Sequence, residues 1–298
     1  MALASQGAQS KLCMEPSGSP HTFNTSSEPY EFLSENIQKQ ATHLDLNGIR
    51  GTRSHAKEVV RAGIYTVAGT ITMNPSPLDL DLLLPRICGT AESSDVFALA
   101  ETIPAFGLLI DRVAQQFQYT DCYINRATFR SQAGGLLELS LDILGKTEIT
   151  GTSYPALTLG VLPADAPFVH EDSVVTLAGA GEECMSIEIV VDNVLDARFA
   201  NAQTAGSITP QDRVISVNLV MPYTSDETSL YEQAIGGIAG TIKYTNGAIS
   251  TLFTFGILQT PDVSPVVPGK SEITLPLAMI ARKSGTTEAL VVTNDSAS

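Results

Sequence analysis

Residues 135–148, GLLELSLDILGKTE, put Leu137, Leu139, Leu141 and Ile143 at every second position, with Glu138, Ser140 and Asp142 between them. Only an extended chain sends alternate side chains to opposite faces, so this stretch is a strand with one face on a core and the other turned to water or a partner. Residues 63–73, GIYTVAGTITM, repeat the pattern, with Tyr65, Val67, Ile71 and Met73 on one face and Thr66, Thr70 and Thr72 opposite. Asn74-Pro75-Ser76-Pro77 stops that strand, because proline has no donor for a ladder. The following LDLDLLLPRI reads as a short helix started by the Ser/Pro signal, although its first residues also alternate as a strand would. From Phe32 onward, short runs of Val, Ile, Leu, Thr and Tyr are closed again and again by Gly, Pro, Asn or Asp, and the chain is mainly β.

Hydrophobic residues make up 43 % of the 298 and charged residues 16 %, enough apolar surface for a packed core and few solvated charge runs. With 17 Lys plus Arg against 32 Asp plus Glu, the net charge of −15 argues against a protein that grips nucleic acid or an anionic membrane, since phosphate binding needs the missing cationic excess. Cys13, Cys88, Cys122 and Cys184 are far apart and form no CxxC pair, so reduced thiols are expected and no zinc or redox motif is suggested. The N-terminus has no apolar core of signal-peptide length, and no run approaches the roughly 18 apolar residues of a membrane span. A cytoplasm-like site of synthesis is expected. Residues 1–31, rich in Ser, Gly, Pro and Gln, read as an extended arm that packs little on its own.

Sliding the chain along itself by 148 residues brings Val67, Ile71 and Met73 onto Ile215, Leu219 and Met221, and Thr70 and Thr72 onto Asn218 and Val220. A proline break and a helix candidate follow in each copy, at 76–87 and 225–235, with Leu82, Leu83 and Ile87 falling on Leu230, Tyr231 and Ile235. Before the two strands come THLDLN and IEIVVDN, each followed by a loop, 48–62 and 194–211. The strand at 135–148 has a counterpart at 273–283, interrupted by Pro276. Any two β-rich halves align somewhere, but the repeated order of elements favours a duplicated β-domain, 32–155 and 156–298, each copy with a short flanking helix.

Candidate chemistry is thin. His21, His43, His55 and His170 are dispersed, and His55 with Glu58 makes half a metal site at best. Ser54 to Lys57 matches SxxK without any supporting signature, and the glycine clusters at 179–181 and 236–240 lack the GK[ST] ending of a phosphate loop. Asp79 and Asp81 are better explained by helix capping and the helix dipole than as a carboxylate pair. No enzyme, cofactor or metal is expected. The loop 47–62 stands out instead: Arg50, Arg53, Lys57 and Arg61 against Glu58 give +3, while the rest of the chain carries −18. Such asymmetry points to self-association, with a merely solvated loop as the plain alternative.

Three stretches, FLSENIQKQATHLDLNGIRGTRSHAKE (32–58), TITMNPSPLDLDLLLPRI (70–87) and NRATFRSQAGGLLELSLDILGKTE (125–148), resemble the major tail tube proteins of long, non-contractile bacteriophage tails, as do residues 212–234 and 281–295. The resemblance implies tube domains of β-sandwich or barrel type, rings stacked into a hollow virion tail tube assembled in the host cytoplasm, and a lumen through which the genome enters the host. It also implies tail tip, terminator and tape measure proteins as partners, with double-stranded DNA passing without specific binding and no membrane contact. One tube domain per chain needs six copies per ring. Two domains per chain would make a homotrimeric, pseudo-sixfold ring, with a hexamer as the alternative. On this reading Glu138, Ser140 and Asp142 line the lumen and the basic loop bridges rings. A structural adaptor or fibre subunit with tandem β-domains and no lumen is the competing assignment.

Overall fold

The computed structural model describes residues 6–16, 23, 27–46, 48–49, 51–54, 57–90, 93–151, 166–224, 227–261, 267, 269–270 and 272–296. In the first half these form β1 (Lys11–Pro16), β2 (Glu28–Tyr30), β3 (Ser34–Glu35), β4 (Gln38–Leu44), β5 (Arg61–Met73), helix α1 (Pro77–Cys88), β6 (Val96–Ala98), β7 (Phe106–Asp111), β8 (Gln116–Gln132), β9 (Glu138–Gly145) and β10 (Thr147–Thr150). The second half supplies β11 (Ser173–Leu177), β12 (Ala180–Glu182), β13 (Ser186–Asp192), β14 (Leu195–Arg198), β15 (Ser207–Pro210), β16 (Val214–Pro222), helix α2 (Glu227–Gly236), β17 (Ile238–Asn246), β18 (Ile249–Gln259), β19 (Thr274–Arg282) and β20 (Leu290–Asp295). The protein is mainly β, with large antiparallel sheets. Among the described residues no helix is long and apolar enough to cross a membrane.

One antiparallel ladder runs in the order β4, β5, β9, β8, β13, β16, β19, β18 and crosses from the first half to the second where Gln132 to Arg126 of β8 pair with Ser186 to Asp192 of β13. The alternation read from the sequence fixes which face is buried. Val67, Ile71 and Met73 of β5, Leu139, Leu141 and Ile143 of β9, and Ile215, Leu219 and Met221 of β16 all point into one apolar cluster that extends through both halves. Over this face lie two outer groups of strands, β2–β1–β7 and β12–β11–β17, which join it through the first part of β8 and nearly the whole of β18. Phe129 and Phe253 meet edge to face at 5.2 Å between ring centroids, linking the halves at the core.

The pairings of the two halves correspond: β4–β5, β5–β9, β8–β9, β7–β8 and β1–β7 in the first, β13–β16, β16–β19, β18–β19, β17–β18 and β11–β17 in the second. Leu33 donates its backbone N–H to the Thr72 carbonyl, and Met185 donates to the Val220 carbonyl at the same place in the other half. In the helices the match at 148 residues slips. Helix α1 buries Leu80, Leu83, Leu84 and Ile87, but α2 buries Leu230 and Ala234 and leaves Ile235 exposed, so the inward faces superpose at an offset one residue shorter.

Two other expectations are corrected. Pro276 does not interrupt the strand at 273–283, because β19 is continuous through it. Val220, opposite Pro276, turns its carbonyl to Met185 on the far side, which makes this a non-hydrogen-bonded pair, and the proline's missing donor faces away from β16. Of the segment 1–31, the described residues 11–16 do pack: Leu12, Cys13 and Met14 of β1 are buried, and β1 pairs along its whole length with β7.

Helix α1 starts where the Ser/Pro signal placed it. Ser76 Oγ accepts from the Asp79 N–H at 3.1 Å while the Asp79 carboxylate accepts from the Ser76 N–H at 2.9 Å, a reciprocal capping box with Pro77 at the first turn. Burial pushes the Asp79 carboxyl above its ordinary range, the Ser76 hydrogen bonds opposing it. Gly89 ends the helix at φ +92°, donating to the Pro85 carbonyl. Replacing Ser76 by Ala removes one cap acceptor, and chemical denaturation should show a loss of about 1 kcal/mol with an unchanged slope.

Candidate functional site

The long sheet has a polar face and two unlike rims. Glu138, Ser140 and Asp142 lie together on the polar face of β9, half-buried among cross-strand neighbours, and Asp142 accepts from the Thr70 hydroxyl at 2.7 Å. What the sequence reading missed is the opposite sign beside them. Arg130 of β8 lies between Glu138 of β9 and Glu188 of β13, and Arg126 lies beside Asp142 and Asp192 in the same way. Both arginines are exposed. Cross-strand neighbours stand about 5 Å apart at Cβ, near enough for charges to screen one another. From β9 to β13 the face carries a mixed ladder of four acids and two arginines, flanked by Thr70 and Thr72 of β5 and Ser216 and Asn218 of β16, with Arg282 exposed on the same face at the end of β19. It is weakly acidic and not uniformly so.

At one rim both long loops leave the sheet, residues 45–60 between β4 and β5 and residues 193–213 between β13 and β16. The second loop folds into the β14–β15 hairpin, which the sequence reading took for plain loop. The second loop touches the start of β5: the Tyr65 N–H donates to the Gln203 carbonyl at 2.9 Å, and Gln203 Nε2 donates to the Ala62 carbonyl at 3.0 Å. Arg53, Lys57 and Arg61 are exposed on the first loop and the start of β5, whereas Arg50 and His55 lie outside the described residues. Apolar side chains share this loop with the cations. Leu44 and Leu46 are 61 % and 62 % exposed, and Ile49 is fully so. Leu46 and Ile49 of the loop, with Leu44 at the end of β4, thus set exposed aliphatics beside the loop's cations.

The sheet also has an open edge. Strand β13 is flanked by β8 and β16, but β4, which holds β13's place in the first half, pairs with β5 alone among the described residues, and all seven of its residues are exposed. The Asn36 N–H donates to the Thr70 carbonyl, whereas the Tyr65 N–H points away from β4 to Gln203. Alternation then sends the N–H groups of Lys39 and Ala41 outward, to the open side.

The remaining candidates carry structure rather than chemistry. His21 lies outside the described residues, and His43 is exposed on β4. His170 is buried: its Nδ1 is hydrogen-bonded to Ser131 Oγ at 2.9 Å, Ser131 Oγ is hydrogen-bonded to the Tyr244 hydroxyl at 2.8 Å, and Nε2 donates to the Cys184 carbonyl at 2.8 Å. This imidazole faces a carbonyl where a catalytic triad has a carboxylate, and Ser131 is only 1 % exposed, so the chain of hydrogen bonds ties β8 to β17 and presents no nucleophile. Burial pushes the Cys13 thiol up to about 11 and those of Cys88 and Cys184 up to about 12, so these thiols stay protonated at neutral pH. Asp81, read as complementing the helix dipole, accepts from Asn294 Nδ2 at 2.6 Å and ties the last strand to α1.

The described residues thus present a polar sheet face, an open strand edge and a basic loop with exposed aliphatics. No curated protein matches the chain in sequence. A family model described as phage tail tube protein matches residues 14–281, which takes in both halves of the long sheet, the open edge and the basic loop. The chain belongs to the phage tail tube protein family.

Proposed function

We propose that this structural component of the virion tail closes into trimeric rings of pseudo-sixfold symmetry, which stack head to tail around a channel for the genome. The observation that carries the reading is the ladder between β8 and β13. It joins two four-strand units, β4–β5–β9–β8 and β13–β16–β19–β18, edge to edge within one chain. A second copy pairing along β4 would continue the sheet from one chain to the next, and three chains would supply six units. On this reading 32–155 and 156–298 are duplicated units of one sheet, and residue 155 separates repeats that share a core.

The polar face then becomes the inner wall, because the opposite face is covered by β7, β17 and their neighbours. Glu138, Ser140 and Asp142 face the lumen together with Arg126 and Arg130. Double-stranded DNA passes such a wall without being held: the acids disfavour phosphate, and each arginine has two acids beside it. The chain is no enzyme on this reading. Assembly in the host cytoplasm, and contacts with tail tip, terminator and tape measure proteins, follow from the position of a tube between the two ends of a tail.

Averaged end-on electron micrographs of purified tubes test the stoichiometry. Threefold symmetry with six similar lobes per ring is the expected result, with a ring mass of three chains. Six chains per ring would refute the trimer and leave the tube intact, while monodisperse monomers at every concentration and salt would refute the tube.

A further inference from the structure

The two rims of the long sheet are complementary. Strand β16 leaves the 193–213 loop at Val214 and ends at Pro222, so nine residues, about 30 Å of extended chain, separate the loop rim from the opposite one. At that opposite rim a cleft of 490 Å³ opens between the β11–β12 hairpin, the end of β16 and the Leu230–Gln233 turn of α2. Leu177 and Leu230 are buried beneath it, Pro222 forms a wall, and Glu182 and Glu183 stand at its lip. The hairpin turns tightly at Ala178 and Gly179, both with positive φ, which gives the lip a defined shape. No Lys or Arg is among the residues that line it.

We infer that the cleft formed by Leu177, Pro222, Leu230, Glu182 and Glu183 receives the 45–60 loop of a second copy of this chain in the next ring. The step rests on the stacked-ring reading and adds the receptor to it. An apolar floor with an acidic lip matches a loop that exposes Leu46 and Ile49 beside Arg53, Lys57 and Arg61, and the two features lie on opposite rims, as head-to-tail stacking requires. A contact between unlike surfaces of identical subunits propagates along an axis and does not close on itself.

Charge exchange tests the pairing. The loop variant Arg53→Glu, Lys57→Glu, Arg61→Glu and the cleft variant Glu182→Lys, Glu183→Lys should each raise the concentration needed for tube formation by at least about tenfold at low salt, and combining them should restore it to within about threefold of the parent. Sedimentation and negative stain read the tubes, and melting curves confirm folded subunits. Glu183→Lys alone, a change at an exposed side chain, should give a smaller shift in the same direction and serves if the double change disturbs the hairpin. A loop variant that fails to form tubes beside a cleft variant that forms them normally would overturn the cleft as receptor while leaving stacked rings standing. Failure of the combined variant to recover would do the same. A parent chain that never stacks would overturn the stacked-ring reading, and the docking with it.

Discussion

Replacing Lys39 and Ala41 by proline should leave a folded monomer that no longer builds rings. The N–H groups of these two residues point to the open side of β4, so their removal spares the bonds between β4 and β5 and strips donors only from the edge offered to a neighbour. Two lost backbone bonds at about 1 kcal/mol each correspond to about a thirtyfold weaker junction, and the proline rings add a steric block to the approaching strand. Because every ring would need three such junctions, the effect multiplies and tubes should be absent at concentrations where the parent polymerises fully. Size-exclusion chromatography with a melting curve checks it: a monomer that melts within a few degrees of the parent is expected. Substituting the neighbouring Gln40, whose N–H faces β5, should by contrast unravel the hairpin itself. Tubes formed at the parental concentration by the Lys39, Ala41 double variant would rule out closure through this edge.

How far the sequence alone foretells these surfaces depends on whether the relevant order is local. The buried residues of β5, β9 and β16 keep one parity throughout, and their buried faces read directly from it. Strand β8 does not. Cys122 and Ile124 are buried at even positions and Ala127 and Phe129 at odd ones, because the register shifts between Ile124 and Arg126. A bulge of this kind inverts the alternation halfway along and makes the longest strand look irregular. The same strand carries Arg126 and Arg130, so the cations of the polar face were hidden while the acids on regular β9 were plain. The β14–β15 hairpin and the cleft beside α2 are likewise unreadable, the one because its strands are four residues long, the other because it gathers β11, β12, β16 and α2 from across more than fifty residues.

The N-terminal segment shows the same limit, and it supplies the largest expected loss of stability. Its low-complexity composition suggested an arm, yet Glu28 and Tyr30 of β2 are clamped to α1 by Arg86, a partner 58 residues away in sequence. Arg86 Nη2 donates to the Glu28 carboxylate at 2.5 Å, and Nη1 donates both to the Tyr30 hydroxyl at 3.0 Å and to the Leu82 carbonyl at 2.8 Å. Its guanidinium also lies 5.6 Å from the Phe106 ring centre. The side chains of Arg86 and Glu28 are 6 % and 19 % exposed, so solvent screens the pair weakly. Burial alone would favour a neutral Arg86, but Tyr30 and Glu28 together outweigh it and hold the guanidinium charged. Substituting Arg86 by Met should therefore cost about 3–5 kcal/mol, because it keeps the apolar volume but strands a buried carboxylate and leaves the Tyr30 hydroxyl without its donor. Changing Glu28 to Met as well removes the stranded charge, and the double variant should recover much of the loss. Urea unfolding of the two single variants and the double variant measures the coupling. Simple additivity of the two single costs would show that Arg86 and Glu28 act separately and that the N-terminal strands are held by β7 alone.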